Sequence, residues 1–108
     1  MTAHSAKDKV PEHELQQALA GPLRNWTRSG NMLERSFAFK DFKQALEFVN
    51  AVGEQAERMG HHPDIDIRYN KVKLMLTSHD AGGITTRDLT LAGQCDQLAQ
   101  RHSGGKTG

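Results

Sequence analysis

The sequence predicts an α+β domain, with three helices packed on one face of a four-stranded antiparallel sheet. Three observations carry that expectation. Residues 42–59 repeat apolar side chains at helical spacing, residues 65–69 and 72–76 alternate with a period of two, and each stretch is apolar on one side only.

Pro11 suits a first helical turn, Leu15, Ala18 and Leu19 share a face, and Gly21-Pro22 stops that helix. Leu23 to Arg28 and Met32 to Phe39 read as a hairpin around Ser29-Gly30-Asn31. In its second strand Leu33, Arg35, Phe37 and Phe39 fall on one side, and Glu34, Ser36 and Ala38 on the other. Asp41 is placed to cap a long helix, with Gln44 completing a capping box and Gly60 terminating it. Phe42, Ala45, Leu46, Val49, Val52, Ala56 and Met59 form its apolar stripe. Ile65, Ile67 and Tyr69 begin a second hairpin, turning at Asn70-Lys71 into Val72, Leu74 and Leu76. Thr85 or Thr86 then caps a last helix bearing Leu89, Ala92, Cys95 and Ala99.

The 108 residues form one domain over 10–102, between polar tails expected to be disordered at 1–9 and 103–108. The closing GGKTG has part of a phosphate-binding loop, but Gln100 stands where that motif requires glycine. A formal charge of +1 gives no electrostatic basis for direct nucleic-acid binding. No signal-like segment opens the chain, and no run approaches the ~20 apolar residues of a membrane span. A lone cysteine, Cys95, has no disulfide partner and suits core packing, so a cytoplasmic location is expected.

The chemistry-bearing residues gather around the second hairpin. His61 and His62 follow Gly60, and Pro63 holds His62 extended, so the two imidazoles point apart and are poorly placed to share a metal. The expected hairpin register brings Ser78 and His79 opposite His62 and Pro63, and Glu57 lies one helical turn before His61. Isolated surface histidines are usually ornamental, but three imidazoles, a carboxylate and the Gly82-Gly83 loop in one corner favour function. Neither H-E-x-x-H nor paired-cysteine spacing supports zinc, and no G-x-S-x-G elbow makes Ser78 a nucleophile. General acid–base chemistry by imidazole remains. Asp88 lies three residues after Thr85, so capping and a functional role both stay open. Trp26 is either a core aromatic or a stacking surface for a planar heterocycle.

The run Glu57-x-x-x-His61-His62-Pro63, then Tyr69-Asn70-Lys71-Val72, then Thr77-Ser78-His79-Asp80-x-Gly82-Gly83-Ile84-Thr85-x-x-Asp88, resembles the pterin-4a-carbinolamine dehydratase family. Trp26, Phe37-x-Phe39-x-Asp41-Phe42 and Leu91-Ala92 extend the resemblance across nearly everything between the tails. It implies the same four-stranded fold and removal of water from 4a-hydroxytetrahydropterin, such as 4a-hydroxytetrahydrobiopterin. The product is quinonoid dihydropterin, in tetrahydrobiopterin recycling, with no metal or organic cofactor. It implies His61, His62 and His79 as catalytic residues supported by Glu57 and Asp88. Substrate contacts fall on His61 to Pro63 and Ser78 to Ala81, Asp80 included, with Trp26 as a further candidate. A homo-oligomer, dimer or tetramer, and a functional link to an aromatic amino-acid hydroxylase are further implications. The alternative is a dimerisation cofactor of the transcriptional-coactivator type, as some animal members are. Gly60 and Ile65 depart from animal members, which often have an acid and a tryptophan there, and Ile65 bears on the pocket wall.

Overall fold

The computed structural model describes residues 8–103. Its elements are α1 (Glu12–Ala20), β1 (Thr27–Ser29), β2 (Met32–Ala38), α2 (Phe42–Met59), β3 (Asp64–Arg68), β4 (Lys71–Leu76), a 3₁₀ turn (His79–Ala81) and α3 (Thr86–Ser103). The four strands form one antiparallel sheet in the order β1-β2-β4-β3. The predicted α+β architecture is what the structure shows. The tails expected at 1–9 and 103–108 fall largely on residues outside the described range. Lys9, however, bridges Thr85, and the Val10 N–H donates to the Ile84 carbonyl at 2.9 Å.

One hydrophobic cluster joins the layers. Leu33 and Phe37 of β2 pair with Leu76 and Val72 of β4, and their shared face meets the helices. α1 contributes Leu15 to this cluster, α2 contributes Ala45, Phe48 and Val52, and α3 contributes Leu91, Ala92, Cys95 and Ala99. Phe48 packs against both Phe37 and Phe39 with ring centroids 4.9 Å apart. Arg35 also points into this layer. Its Nη1 pairs with Asp96 at 2.5 Å, and the indole N–H of Trp26 donates to both Asp96 oxygens. Burial pushes the Asp96 carboxyl above its usual range, against the pull of Arg35 and Trp26. Cys95 is fully buried, and its thiol is pushed up to about 12 by burial and the neighbouring Asp96 charge.

Asp41 caps α2 as expected, accepting the Gln44 N–H at 2.9 Å, while the Gln44 side chain reaches the Lys40 N–H rather than that of Asp41 itself. Two strand expectations are corrected. The Leu23 N–H returns to the Ala18 carbonyl at 2.8 Å, and the Trp26 N–H to that of Leu23 at 2.9 Å. The chain therefore stays curled, and β1 begins only at Thr27. The β3–β4 turn lies one residue early, at Tyr69-Asn70, because Arg68 pairs with Lys71. Tyr69, at the first turn position, takes the left-handed conformation with φ 54° that a two-residue hairpin favours there. Asn70 binds Phe39 twice, its side-chain amide donating to the Phe39 carbonyl and its own carbonyl accepting the Phe39 N–H.

Ile65 and Ile67 do share the face of Leu74 and Val72, but on the outermost strand each remains 36% exposed. Phe42 and Leu46 on α2, at 45% and 36%, extend the expected stripe beyond the core.

Candidate active site

Two helix ends build the site. At the end of α2, Gly60 adopts the left-handed conformation with φ 64°, and the His61 N–H donates back to the Ala56 carbonyl at 3.1 Å. That hook leaves His61 only 7% exposed and, with Pro63 holding the next residue extended, turns His62 outward. At the start of α3, Asp88 accepts the Thr85 N–H at 2.9 Å, the carboxylate half of a capping box.

The two ends meet through a buried hydrogen bond. His61 Nε2 lies 2.6 Å from Asp88 Oδ1. Asp88 Oδ2 accepts the Ser78 hydroxyl at 2.8 Å as well as the Thr85 N–H, and Asp88 is wholly buried. An ionised carboxylate only accepts, so His61 must donate from Nε2. In the neutral ring Nδ1 is then the bare, basic nitrogen. Asp88 therefore caps the helix and also orients the imidazole of His61.

A second pair stands beside the first. His62 Nε2 lies 2.5 Å from Glu57 Oε2, with both side chains mostly exposed. Glu57 thus partners His62, not His61. The two adjacent histidines point apart as their extended geometry requires, one to a buried carboxylate and one to a solvated one. His62, Pro63 and Glu57 line a cleft of 660 Å³ together with Ile65, which places Ile65 on the wall beside His62.

The Ser78–Gly83 loop closes on itself. Backbone bonds join Ser78 N–H to the Gly83 carbonyl at 2.9 Å and Gly83 N–H to the Ser78 carbonyl at 3.2 Å. Between them His79, Asp80 and Ala81 make the 3₁₀ turn, and Gly82 leaves it with φ 74°. His79 is exposed there, one residue beyond the Ser78 that anchors Asp88. Asp80 accepts from Arg87 Nη2 at 2.8 Å.

Of the residues singled out in the sequence, hydrogen bonds unite His61, Asp88 and Ser78, and separately His62 and Glu57, with His79, Asp80 and Ala81 on the adjoining turn. The structure places Trp26 in the core at 3% exposure, edge-on to Phe37 and held by Asp96. Arg87 and the inward hydroxyl of Thr85 were not foreseen as site components. The Thr85-x-x-Asp88 spacing signalled a cap, and nothing in the pattern singled out Arg87. Among the described residues, no group of three or more His, Cys, Asp or Glu is arranged to hold a metal ion, and no helix is long and apolar enough to cross a membrane.

Comparison with known proteins places this geometry in a family. Residues 8–98 match the family described as Pterin 4 alpha carbinolamine dehydratase. A Koribacter versatilis protein provisionally named as such a dehydratase is 52% identical over 89 residues, covering 82% of this chain and 94% of its own. A Sulfurisphaera tokodaii protein named likewise is 47% identical over 90 residues, covering 83% and 96%. A Brucella melitensis structure described as a transcriptional coactivator/pterin dehydratase superposes with a TM-score of 0.81 at 32% identity, covering 85% of this chain and 99% of that one. A pterin dehydratase-like RuBisCO assembly factor of the alpha-carboxysome superposes with a TM-score of 0.57 at 27% identity, covering 68% and 86%. The chain belongs to the pterin-4a-carbinolamine dehydratase family.

Proposed function

We propose that the protein is a dehydratase that removes water from 4a-hydroxytetrahydropterin, 4a-hydroxytetrahydrobiopterin being the expected substrate, to give quinonoid dihydropterin. The observation that carries this reading is the buried His61–Asp88 pair, bonded by Ser78, with the exposed His62 and His79 following His61 and Ser78 in the sequence. Dehydration needs one group to protonate the departing hydroxide and another to take a ring N–H proton. His61, its Nε2–H directed at Asp88, offers Nδ1 as the base, and Asp88 stabilises the imidazolium that forms. His79, as imidazolium, donates as the C4a–O bond breaks with its electron pair moving to oxygen, so that water leaves. The ring N–H electron pair forms the new double bond, and proton exchange with solvent resets both histidines. His62, held by Glu57 in the cleft with Pro63, orients the pterin. Asp80 and Ala81 complete the substrate-facing turn. No metal or organic cofactor takes part.

This chemistry fits tetrahydrobiopterin recycling in the cytoplasm, in service of an aromatic amino-acid hydroxylase. A homo-oligomer, dimer or tetramer, fits the same reading, because Phe42, Leu46, Ile65 and Ile67 leave large apolar side chains uncovered. Those side chains, together with the coactivator description of the Brucella structure, also favour a second reading as a protein-interaction module. The two share Ile65, which lies both on the cleft wall and among these side chains. Finding a hydroxylase gene beside this one would support recycling.

The deciding assay follows conversion of synthetic 4a-hydroxytetrahydropterin with and without the protein. Acceleration over the spontaneous dehydration, lost in His61→Ala, is the expected result. A spontaneous rate unchanged by well-folded protein would refute the dehydratase reading.

A further inference from the structure

Beyond the residues that would meet substrate, a directed chain of hydrogen bonds leads from the His79 loop to the His61 ring. Ser78 has a single hydroxyl proton, and it is used on Asp88 Oδ2 at 2.8 Å. The 2.8 Å contact between the Ser78 and Thr85 hydroxyls must therefore be donated by Thr85. Thr85 Oγ1 in turn accepts the Arg87 backbone N–H at 3.2 Å and the Arg87 Nε–H at 3.3 Å. The same guanidinium holds Asp80 through Nη2 at 2.8 Å. Every proton in the series has one direction: Arg87 to Thr85, Thr85 to Ser78, Ser78 to Asp88, with His61 donating into the other Asp88 oxygen.

Burial gives the series its strength. Ser78, Thr85 and Asp88 are each no more than 1% exposed, so water does not replace a lost member. Arg87 is the link to the outside, with a side chain 23% exposed that pairs with a largely solvated Asp80.

We propose that Thr85 and Arg87 are positioning residues: Arg87 ties the Asp80 turn that carries His79 to Thr85, and Thr85 passes that placement through Ser78 and Asp88 to His61. The two proton-transferring histidines are then set by one network rather than by two separate loops. Neither residue touches the reacting atoms. The kinetic consequences rest on the dehydratase reading, whereas the hydrogen-bond chain does not.

Thr85→Val, Thr85→Ser and Arg87→Met separate the links, with circular dichroism to confirm folding. Thr85→Val keeps shape but removes the hydroxyl that donates to Ser78 Oγ. It is expected to lower kcat about tenfold, the cost of one hydrogen bond at its upper range, with KM changed less than about twofold. Thr85→Ser restores the donor and should recover kcat. Arg87→Met removes the guanidinium that bonds Asp80 and is expected to raise KM about three- to tenfold with a smaller effect on kcat. The readout independent of activity is the imidazole ¹H–¹⁵N spectrum, in which the His61 Nε2–H resonance should move in Thr85→Val and Arg87→Met and return in Thr85→Ser. If the wild type fails to accelerate dehydration, this spectrum still tests the chain. A His61 resonance unmoved in a folded Thr85→Val, or unmoved in Arg87→Met should the valine variant not fold, would overturn the proposal.

Discussion

Asp88→Asn tests the site through a single atom. The carboxylate is wholly buried and accepts three donors: His61 Nε2–H at 2.6 Å, Ser78 Oγ–H at 2.8 Å and Thr85 N–H at 2.9 Å. Asparagine has the same shape but only one accepting oxygen. The Thr85 N–H belongs to the backbone and cannot turn away, so the amide oxygen must take the Oδ2 position. The amide NH₂ then faces His61 Nε2, which can no longer donate. The ring either leaves two donors opposed or shifts its proton to Nδ1, where it ceases to be a base. Losing a hydrogen bond to a charged group costs about 1.5–3 kcal/mol. For a domain of this size that lowers Tm by roughly 6–24 °C, without a cavity to add to it. The kinetic cost should be larger than stability suggests, about 10²–10⁴-fold in kcat, because the base is lost in most molecules. Dehydration kinetics, thermal unfolding and imidazole ¹⁵N shifts on the purified variant provide the three readings. A folded Asp88→Asn protein with near-wild-type kcat, or with His61 still protonated at Nε2, would refute the orientation assigned to Asp88.

Three further outcomes follow from the same arrangement. His79→Ala should lower kcat by ~10²–10⁴-fold while circular dichroism stays native, because the residue is exposed on a turn outside the core; retained turnover would remove it from the mechanism. Dialysis against a chelator should leave dehydratase activity intact, and loss restored by zinc would contradict the metal-free mechanism. Cys95 should resist thiol reagents at neutral pH until the protein unfolds, its thiol being pushed from 9.0 to about 12. In that window, from about 9 to about 12, the folded chain holds a proton that the unfolded chain releases. This contribution to stability is therefore complete below about 9 and is lost as pH rises through about 12, which alkaline denaturation titrations of wild type and Cys95→Ala would reveal.

Periodicity was enough to recover the α+β layout, because burying one face is a demand repeated along a whole element. It says which way a side chain points and not whether anything covers it. Ile65 and Ile67 share the side of Leu74 and Val72, yet on the edge strand each remains 36% exposed. Phe42 and Leu46 belong to the α2 stripe and overhang the core in the same way. The local errors arose where the deciding bond is not local in pattern. Leu23 looks like a strand residue until its N–H is seen to return to Ala18, and an aromatic residue at positive φ is a poor guess for the first turn position that Tyr69 takes.

In the site, the candidate residues were legible but their partners were not. Glu57 lies nearer in sequence to His61, yet it pairs with His62, because the left-handed Gly60 turns His61 inward before an extended segment begins. Asp88 looked like a cap and is one, and the same carboxylate holds His61 across 27 residues of sequence. The device that ends α2 and the device that begins α3 are thus the devices that aim the imidazole. Their polarity also suits the task. A carboxylate at the first turn of α3 and an imidazolium at the last carbonyls of α2 are the charges that helix ends favour, so the ion pair formed when His61 takes a proton is matched by the backbone around it. Capping signals in a sequence can therefore mark a candidate active site, provided both helix ends converge, and only the tertiary fold reveals that they do.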